Sequence, residues 1–209
     1  MSQTPLPIAV LISGSGTNLQ ALIDASSADD FGCALTVVIS DNPLATGKVR
    51  AEGAGIPVVV VDWAAHESRE QFTSAICDAA DRFGVEAIVL AGFMRILSPT
   101  AVERFPDAII NVHPALLPSF PGAHAVEQAL DHGVALTGVT VHFVDEQVDH
   151  GPIIAQEAVR VLEGDDAESL HARIKVVEHA LLPVVVSAFG RGEIGVNDGL
   201  VRWGSGVVA

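Results

Sequence analysis

Short apolar runs rich in β-branched residues alternate along this chain with stretches of helical character. The apolar runs predict six strands, at Ile8–Ser13, Leu35–Ser40, Val58–Val61, Ala87–Ala91, Ala108–Val112 and Thr137–Val144. Most are continuously apolar, which is typical of strands buried on both faces of a parallel sheet. The intervening stretches predict helices at Asn18–Ala25, Lys48–Ala54, Ser68–Phe83, Pro99–Phe105 and Val126–Asp131. The alternation predicts an α/β fold: a single domain with a mostly parallel, twisted sheet and helices on both faces.

The last quarter of the chain predicts one long helix and a hairpin. The helix is expected from about Ala167 to Phe189, with a bend near Pro183, whose missing N–H interrupts the hydrogen-bond ladder. The hairpin is expected to pair residues near Ile194–Val196 with Leu200–Trp203 around an Asn-Asp-Gly turn.

Composition narrows the class of protein. The 209 residues are 49% apolar, with a formal net charge of −15 and only 11 Lys and Arg, and this charge balance argues against a nucleic-acid-binding surface. No leader-like or membrane-spanning apolar segment is evident, so a cytoplasmic protein is expected. Cys33 and Cys77 lie in apolar patterns without metal-ligand spacing, which predicts buried, reduced thiols and no metal site.

The fifth predicted strand ends in polar groups. Asn111 and His113 are two residues apart, so they project from the same face of the strand, and Pro114 stops the ladder directly after them. We therefore expect an amide and an imidazole at the carboxyl end of this strand, where open α/β sheets bind ligands.

A glycine-rich segment, Ser13–Asn18, follows the first predicted strand and opens the first helix. Backbone N–H groups and the helix dipole in such a turn can bind an anion. The segment lacks the third glycine of a dinucleotide fingerprint and the Gly-Lys of a P-loop, which favours a single phosphate. An ordinary turn capped by Thr17 or Asn18 is an equally good interpretation of this motif alone.

Two further loops are expected at the same edge of the sheet. Asp145–Gly151 is an acidic loop after the sixth strand, and Met94–Ser98 follows the fourth; alone, each is explained as a solvated turn or a helix start. Together with Asn111 and His113 they predict a site. An amide, an imidazole and a carboxylate without a protein nucleophile suit acyl transfer between two substrates, or hydrolysis by water.

At these residues the chain resembles phosphoribosylglycinamide formyltransferase, the folate-dependent family of purine synthesis. The resemblance extends from about Ile8 to Trp203. It rests on residues 12–20 (ISGSGTNLQ), 90–98 (LAGFMRILS), 110–118 (INVHPALLP), 141–144 (VHFV) with Asp149, and the Glu178-His179 pair. It implies a Rossmann-like formyltransferase fold spanning residues 1–209, with a nucleotide-binding N-terminal half and a folate-binding C-terminal half.

The resemblance also implies roles for individual residues. Asn111, His113 and Asp149 match the family's catalytic trio, which stabilises a tetrahedral intermediate and relays a proton during its breakdown. Asp149 is expected to raise the pKa of His113. The residues expected to bind glycinamide ribonucleotide are Gly16, Thr17, Asn18, Gly92, Pro114, Lys175 and Glu178. The residues expected to bind the co-substrate 10-formyltetrahydrofolate are Arg69, Met94, Arg95, Ile96, Leu97, Asn111, Val144, Asp145 and Asp149. No metal is implied.

The chain departs from the family pattern at Ala115, Ser119 and His150. His150 stands where relatives commonly have glycine, so it is expected to stiffen the loop or present a competing imidazole. Three alternatives remain open. Formyltetrahydrofolate hydrolase resembles this chain with an added N-terminal domain, and methionyl-tRNA formyltransferase resembles it with a C-terminal RNA-binding region. The third is a catalytically silent nucleotide-binding module. No nucleic-acid or membrane partner is expected beside the two small-molecule substrates, and the protein is predicted to be a monomer or homodimer.

Overall fold

The computed structural model describes residues 4–204 and contains one seven-stranded sheet. Its strands are β1 Leu6–Ile12, β2 Cys33–Ser40, β3 Val58–Val60, β4 Ala87–Leu90, β5 Ile109–His113, β6 Leu136–Phe143 and β7 Ile153–Arg160. They lie side by side in the order β3-β2-β1-β4-β5-β6-β7, and the first five of these are parallel. The strand order reverses between β1 and β4, which is the position where open α/β sheets form a ligand-binding crevice.

Helices cover both faces of this sheet. They are α1 Thr17–Ala25, α2 Lys48–Gly53, α3 Arg69–Arg82, α4 Pro99–Arg104, α5 Ala125–Asp131 and α6 Ala167–Gly190, with a 3₁₀ turn at Trp63–Ala65. Strands β8 Ile194–Asn197 and β9 Leu200–Trp203 form the expected hairpin. Within residues 4–204, no helix is long and apolar enough to cross a membrane.

Side chains on the two faces of β1 pack in two separate apolar clusters. Ile8, Val10 and Ile12 pack in one cluster with residues of α1 and α6, whereas Ala9 and Leu11 pack in the other with residues of α3. This alternation follows from the two-residue period of a strand, and it explains why β1 is apolar on both faces. The α/β class with helices on both faces of a mostly parallel sheet is confirmed.

Two features of the sheet were not predicted. The predicted strand at Thr137–Val144 exists as β6, but it runs antiparallel to β5, and it is followed by β7, which was not predicted. β7 is the edge strand and its exposure alternates irregularly, so it lacks the continuous apolar run of a buried parallel strand. Helix α6 continues through Pro183 as one element, and a bend there stays a prediction.

Candidate active site

Asn111 and His113 lie near the carboxyl end of β5, beside the end of β4. Leu90 at the end of β4 pairs with Asn111, so His113 lies two residues beyond the parallel ladder. His113 is only 4% exposed, which means that the imidazole is held inside the protein rather than in solvent. The structure therefore has both side chains at the carboxyl end of this strand, as predicted.

Asp149 reaches these two residues from an unexpected direction. Because β6 is antiparallel, its carboxyl end lies beside Ile110, and the expectation that the Asp145–Gly151 loop leaves the carboxyl edge of a parallel strand was wrong. The loop instead returns over the face of β5. Asp149 Oδ1 accepts a hydrogen bond from Asn111 Nδ2 at 3.3 Å, and Oδ2 lies 3.3 Å from His113 Nδ1.

The backbone around Asp149 holds its carboxylate in this position. Its φ of 51° is in the left-handed region, where a residue with a side chain is rarely found outside sites that require it. The N–H of Gly122 donates to Asp149 Oδ2 at 2.7 Å. Burial opposes ionisation of Asp149, but the nearby His142 and His113 and the Gly122 N–H together lower its pKa below the ordinary value.

His113 lies between two oxygen atoms. Its Nε2 is 2.8 Å from the carbonyl oxygen of Phe120, and its Nδ1 faces Asp149. A neutral ring has one N–H, so it can donate to only one of these oxygens at a time. Burial nevertheless lowers the pKa of His113, and this effect outweighs Asp149 and the Phe120 carbonyl, which act in the opposite direction. Asp149 thus raises the pKa of His113 as expected, but the larger effect of burial leaves the pKa below its ordinary value.

Strand β6 contributes a histidine that sequence reasoning missed. His142 was not among the predicted site residues, yet it is 1% exposed and pairs across the ladder with Asn111. Its Nδ1 lies 2.8 Å from the Phe143 carbonyl and its Nε2 lies 3.1 Å from Asn111 Nδ2. These distances fit the tautomer in which Nδ1 donates and Nε2 accepts, which orients the Asn111 amide. The only signal in the sequence was its place in the VHFV motif.

The Ser13–Asn18 loop has the geometry of an anion site. Gly16 precedes α1 with a φ of 67°, and a Cβ there would lie 2.8 Å from the Gly47 Cα, so only glycine fits. No side chain caps the helix, which argues against the ordinary turn capped by Thr17 or Asn18. Within residues 4–204, the N–H groups of residues 14–18 have no hydrogen-bond partner. Five donors therefore remain available at the positive end of a helix dipole.

The other residues predicted for the ribonucleotide lie beside this loop on α6. Asn18 Nδ2 donates to Glu178 Oε2 at 3.0 Å, and both side chains are at least 93% buried, while Asn18 Oδ1 has no partner. Burial raises the pKa of Glu178, against the opposing influences of Asn18 and Lys175. A cavity of about 540 Å³ adjoins them between α1, α2 and α6, lined among others by Thr17 and His179.

The residues predicted for the folate form two groups. Leu97 and Val144 are partly buried against the apolar cluster that contains Phe93, whereas Met94 and Ile96 are exposed. The remaining members have polar partners. Arg95 Nε donates to Asp41 at 2.8 Å and its guanidinium lies over Trp63, Asp145 lies 2.7 Å from His150 Nδ1, and Arg69 pairs loosely with Glu70 at the start of α3.

Not every predicted residue is joined to the trio. Gly92, with a φ of 76°, accepts from the Ser13 N–H, and Pro114 directly follows His113. By contrast, within residues 4–204 no hydrogen bond or ion pair links Arg69 or Lys175 to Asn111, His113 or Asp149. In the same range no group of three His, Cys, Asp or Glu side chains is arranged to hold a metal ion.

Comparison with known proteins identifies the family. Residues 6–186 match the formyl transferase family model. This chain belongs to the formyl transferase family. It is 40% identical over 191 residues to a phosphoribosylglycinamide formyltransferase of Escherichia coli (strain K12), covering 91% of this chain and 90% of that protein. The crystal structure of glycinamide ribonucleotide transformylase 1 from Symbiobacterium toebii is 44% identical with a TM-score of 0.93, over 96% of this chain and 95% of that one.

Other members of the formyl transferase family are larger. The chain is 44% identical to the trifunctional purine biosynthetic protein adenosine-3 of Homo sapiens over 94% of its own length, but it spans only 20% of that protein. A formyltetrahydrofolate deformylase from Pseudomonas syringae pv. tomato is 28% identical with a TM-score of 0.90, over 98% of this chain and 67% of that one. The fold alone therefore does not separate transfer to an amine from transfer to water.

Proposed function

We propose that this protein transfers the formyl group of 10-formyltetrahydrofolate to the amine of glycinamide ribonucleotide, a step of purine biosynthesis. The observation that carries this proposal is the 40% identity to a phosphoribosylglycinamide formyltransferase across nine-tenths of both chains. The residues support it, because the N–H groups before α1 lack partners within residues 4–204, and a partly buried amide and carboxylate contact each other beside a buried imidazole at the end of β5.

The ribonucleotide is assigned to the α1 side of the crevice. Its phosphate would accept from the free N–H groups at Gly16, Thr17 and Asn18, and Lys175 with Glu178 would contact the ribose and phosphate region. Gly92 and Pro114 would border the glycinamide. Support comes from the unpaired N–H groups and from the position of Asn18 against Glu178. Since Glu178 is buried and accepts a hydrogen bond, a ribose hydroxyl would give it a further polar partner.

The folate is assigned to the opposite side of the crevice. Leu97 and Val144 would contact the pterin, the Asp145–Asp149 backbone would bind its polar edge, and Met94 with Ile96 would cover the benzoyl group. Arg69 and Arg95 would face the anionic tail. The partial burial of Leu97 and Val144 against an apolar cluster supports this placement. The division into a nucleotide-binding and a folate-binding half stays a prediction, since each set of residues draws on both halves of the chain.

The reaction needs one proton to move. The amine nitrogen attacks the formyl carbon, and the carbonyl π-electrons move to oxygen to give a tetrahedral intermediate. Asn111 would donate to that oxyanion. His113, whose lowered pKa leaves it largely neutral near pH 7, would accept the proton of the attacking amine and become an imidazolium stabilised by Asp149. The proton then passes to folate N10 as the C–N10 bond breaks.

The two substrates separate this activity from its alternatives. Formyl release from 10-formyltetrahydrofolate should depend on added glycinamide ribonucleotide and yield one formylated nucleotide for each tetrahydrofolate. Release that continues at the same rate without the nucleotide would identify a hydrolase, which the similarity to the deformylase favours as the second candidate. Binding of the nucleotide without turnover would identify a silent module. We also infer a cytoplasmic monomer or homodimer, which fractionation and sedimentation velocity would test.

A further inference from the structure

The Ser13–Asn18 loop has carbonyl groups bonded to protein donors, but its N–H groups at residues 14–18 have no acceptor within residues 4–204. The Ser13 carbonyl accepts from Asn42 Nδ2 at 3.2 Å, and the Ser15 carbonyl accepts from Arg50 Nε at 2.9 Å. The two glycine carbonyls of the loop accept from backbone N–H groups, at Gly47 (2.9 Å) and Gln20 (3.0 Å). Every carbonyl from residue 13 to residue 16 thus has a protein donor, whereas the N–H groups of residues 14–18 have none within residues 4–204.

This asymmetry has a physical consequence for anion binding. The C=O and N–H of one peptide plane point in opposite directions, so a donor that fixes a carbonyl also fixes the direction of the N–H across the same plane. A loop held only by its own torsions could turn a carbonyl oxygen toward the phosphate and repel it. Two side chains from outside the loop prevent this at Ser13 and Ser15.

Both side chains are themselves anchored. Asn42 Oδ1 accepts from the Leu44 N–H at 2.9 Å, so the amide is held at its other end. Arg50 Nη1 donates to Gln20 Oε1 at 3.1 Å, which ties the guanidinium to helix α1. Arg50 is also one of only 11 Lys and Arg in a chain of net charge −15, and it lines the 540 Å³ cavity together with Thr17 and His179.

We propose that Arg50 and Asn42 are positioning residues for the phosphate of the ribonucleotide: they hold the Ser15 and Ser13 carbonyls away from the site and keep the loop N–H groups directed into it. This inference rests on the proposed phosphate site. Arg50 also adds a positive charge beside that site. The positioning effect and the charge effect differ in one measurable respect, because salt screens a charge in solvent but does not restore a lost hydrogen bond.

The test compares Arg50→Met, Asn42→Ala and Lys175→Met with a control, Arg82→Met, whose residue donates to the Asp78 carbonyl on the far helix α3. Arg50→Met and Asn42→Ala should each raise the KM for the ribonucleotide about tenfold, the loss expected for one hydrogen bond that orders a binding site, with the KM for the folate unchanged. The increase should persist in about 1 M KCl, whereas that of Lys175→Met should shrink.

A direct measurement separates failure of this inference from failure of the proposed site. Titration of the wild-type protein with ribose 5-phosphate should shift the NMR amide signals of residues 14–18; no shift would mean that the loop is not a phosphate site at all. If the wild type responds and both variants bind the probe as tightly, Arg50 and Asn42 do not position the loop. If the increase in KM caused by Arg50→Met vanishes at high salt, Arg50 acts only through its charge and does not position the loop. Asn42→Ala tests the same claim if Arg50→Met fails to fold.

Discussion

Asn111 has both amide hydrogens engaged before any substrate binds. Nδ2 lies 3.1 Å from His142 Nε2 and 3.3 Å from Asp149 Oδ1. The histidine bond fixes the plane of the amide, and the longer bond to the carboxylate is the one that an oxyanion would replace. A donor oriented in advance costs no reorganisation when negative charge develops, which is the basis of oxyanion stabilisation.

Replacing Asn111 should therefore act on the chemical step. We expect Asn111→Ala to lower kcat about 100- to 1,000-fold, with the KM of each substrate changed little, because the donor matters most in the transition state. Steady-state kinetics with both substrates varied would check this, with Asn197→Ala in the exposed hairpin as the matched control. A variant that kept more than a tenth of the wild-type kcat would remove Asn111 from this role.

The contact between α1 and α6 links binding to stability. Glu178 is buried with one hydrogen bond from Asn18, and burial raises its pKa because the charged carboxylate is poorly solvated. A neutral amide of the same shape removes that cost. We expect Glu178→Gln to increase stability by about 1 kcal/mol near pH 7, which raises Tm by about 2–4 °C, while the KM for the ribonucleotide increases.

Calorimetry at two pH values would test the sign. A raised pKa means that the stabilising neutral form is present below the unfolded value and is lost as pH rises through the folded pKa. The advantage of Glu178→Gln should therefore shrink as the pH falls toward 4. A variant less stable than the wild type at pH 7 would show that the ionised carboxylate contributes more through its contacts than its burial costs.

At the start of α6, hydrogen bonds lower the pKa of a carboxyl group instead of burial raising it. Asp165 pairs with Arg173, and its pKa is lowered chiefly by hydrogen bonds from that guanidinium and from the Leu162 N–H. A lowered pKa contributes stability above the unfolded value that is lost as pH falls through the folded pKa. We expect Asp165→Asn to lower Tm at pH 7 and to lower it by less as the pH falls toward 2. An equal decrease at both pH values would attribute the loss to packing rather than to charge.

His150 joins the two ends of the loop that carries Asp149. Its Nδ1 lies 2.7 Å from Asp145 Oδ2, and its side chain points to solvent rather than toward the trio. We therefore expect it to stiffen the loop rather than to compete with His113. We expect His150→Gly to speed hydrogen exchange at residues 145–151 and to raise the KM for the folate a few-fold. Asp145→Asn, which removes only the carboxylate charge, should have a smaller effect; unchanged exchange in both would mean that this contact does not order the loop.

Much of the whole molecule could be predicted because parallel strands and their helices have periodic signatures. Runs such as Ile8–Ser13 are apolar on both faces, and the cap at Ser68 accepts from the Gln71 N–H as its sequence pattern implies. Asn111 and His113 were predictable for the same reason, since two residues of one strand share a face whatever surrounds it.

The features that were missed depend on contacts between distant segments. The antiparallel direction of β6 is set by its pairing with β7, and the irregularly exposed β7 has no distinctive apolar run. The place of His142 beside Asn111 follows from cross-strand register, which single-strand periodicity does not determine. The Phe120 carbonyl at His113 is a backbone atom, so no residue type indicates it. The net direction of the His113 pKa shift depends on burial, which needs the folded structure.

The central claim is that Asp149 controls the proton affinity of His113, and NMR titration of the imidazole tests it most directly. In the wild type, burial should place the pKa of His113 below its ordinary value of 6.5. Asp149→Asn keeps the side chain's shape but removes the charge that opposes this shift, so the pKa should fall further and the pH–rate profile should move to lower pH with it. An imidazole pKa that is the same in both proteins would mean that Asp149 only shapes the loop, and the proposed proton transfer through His113 would be contradicted.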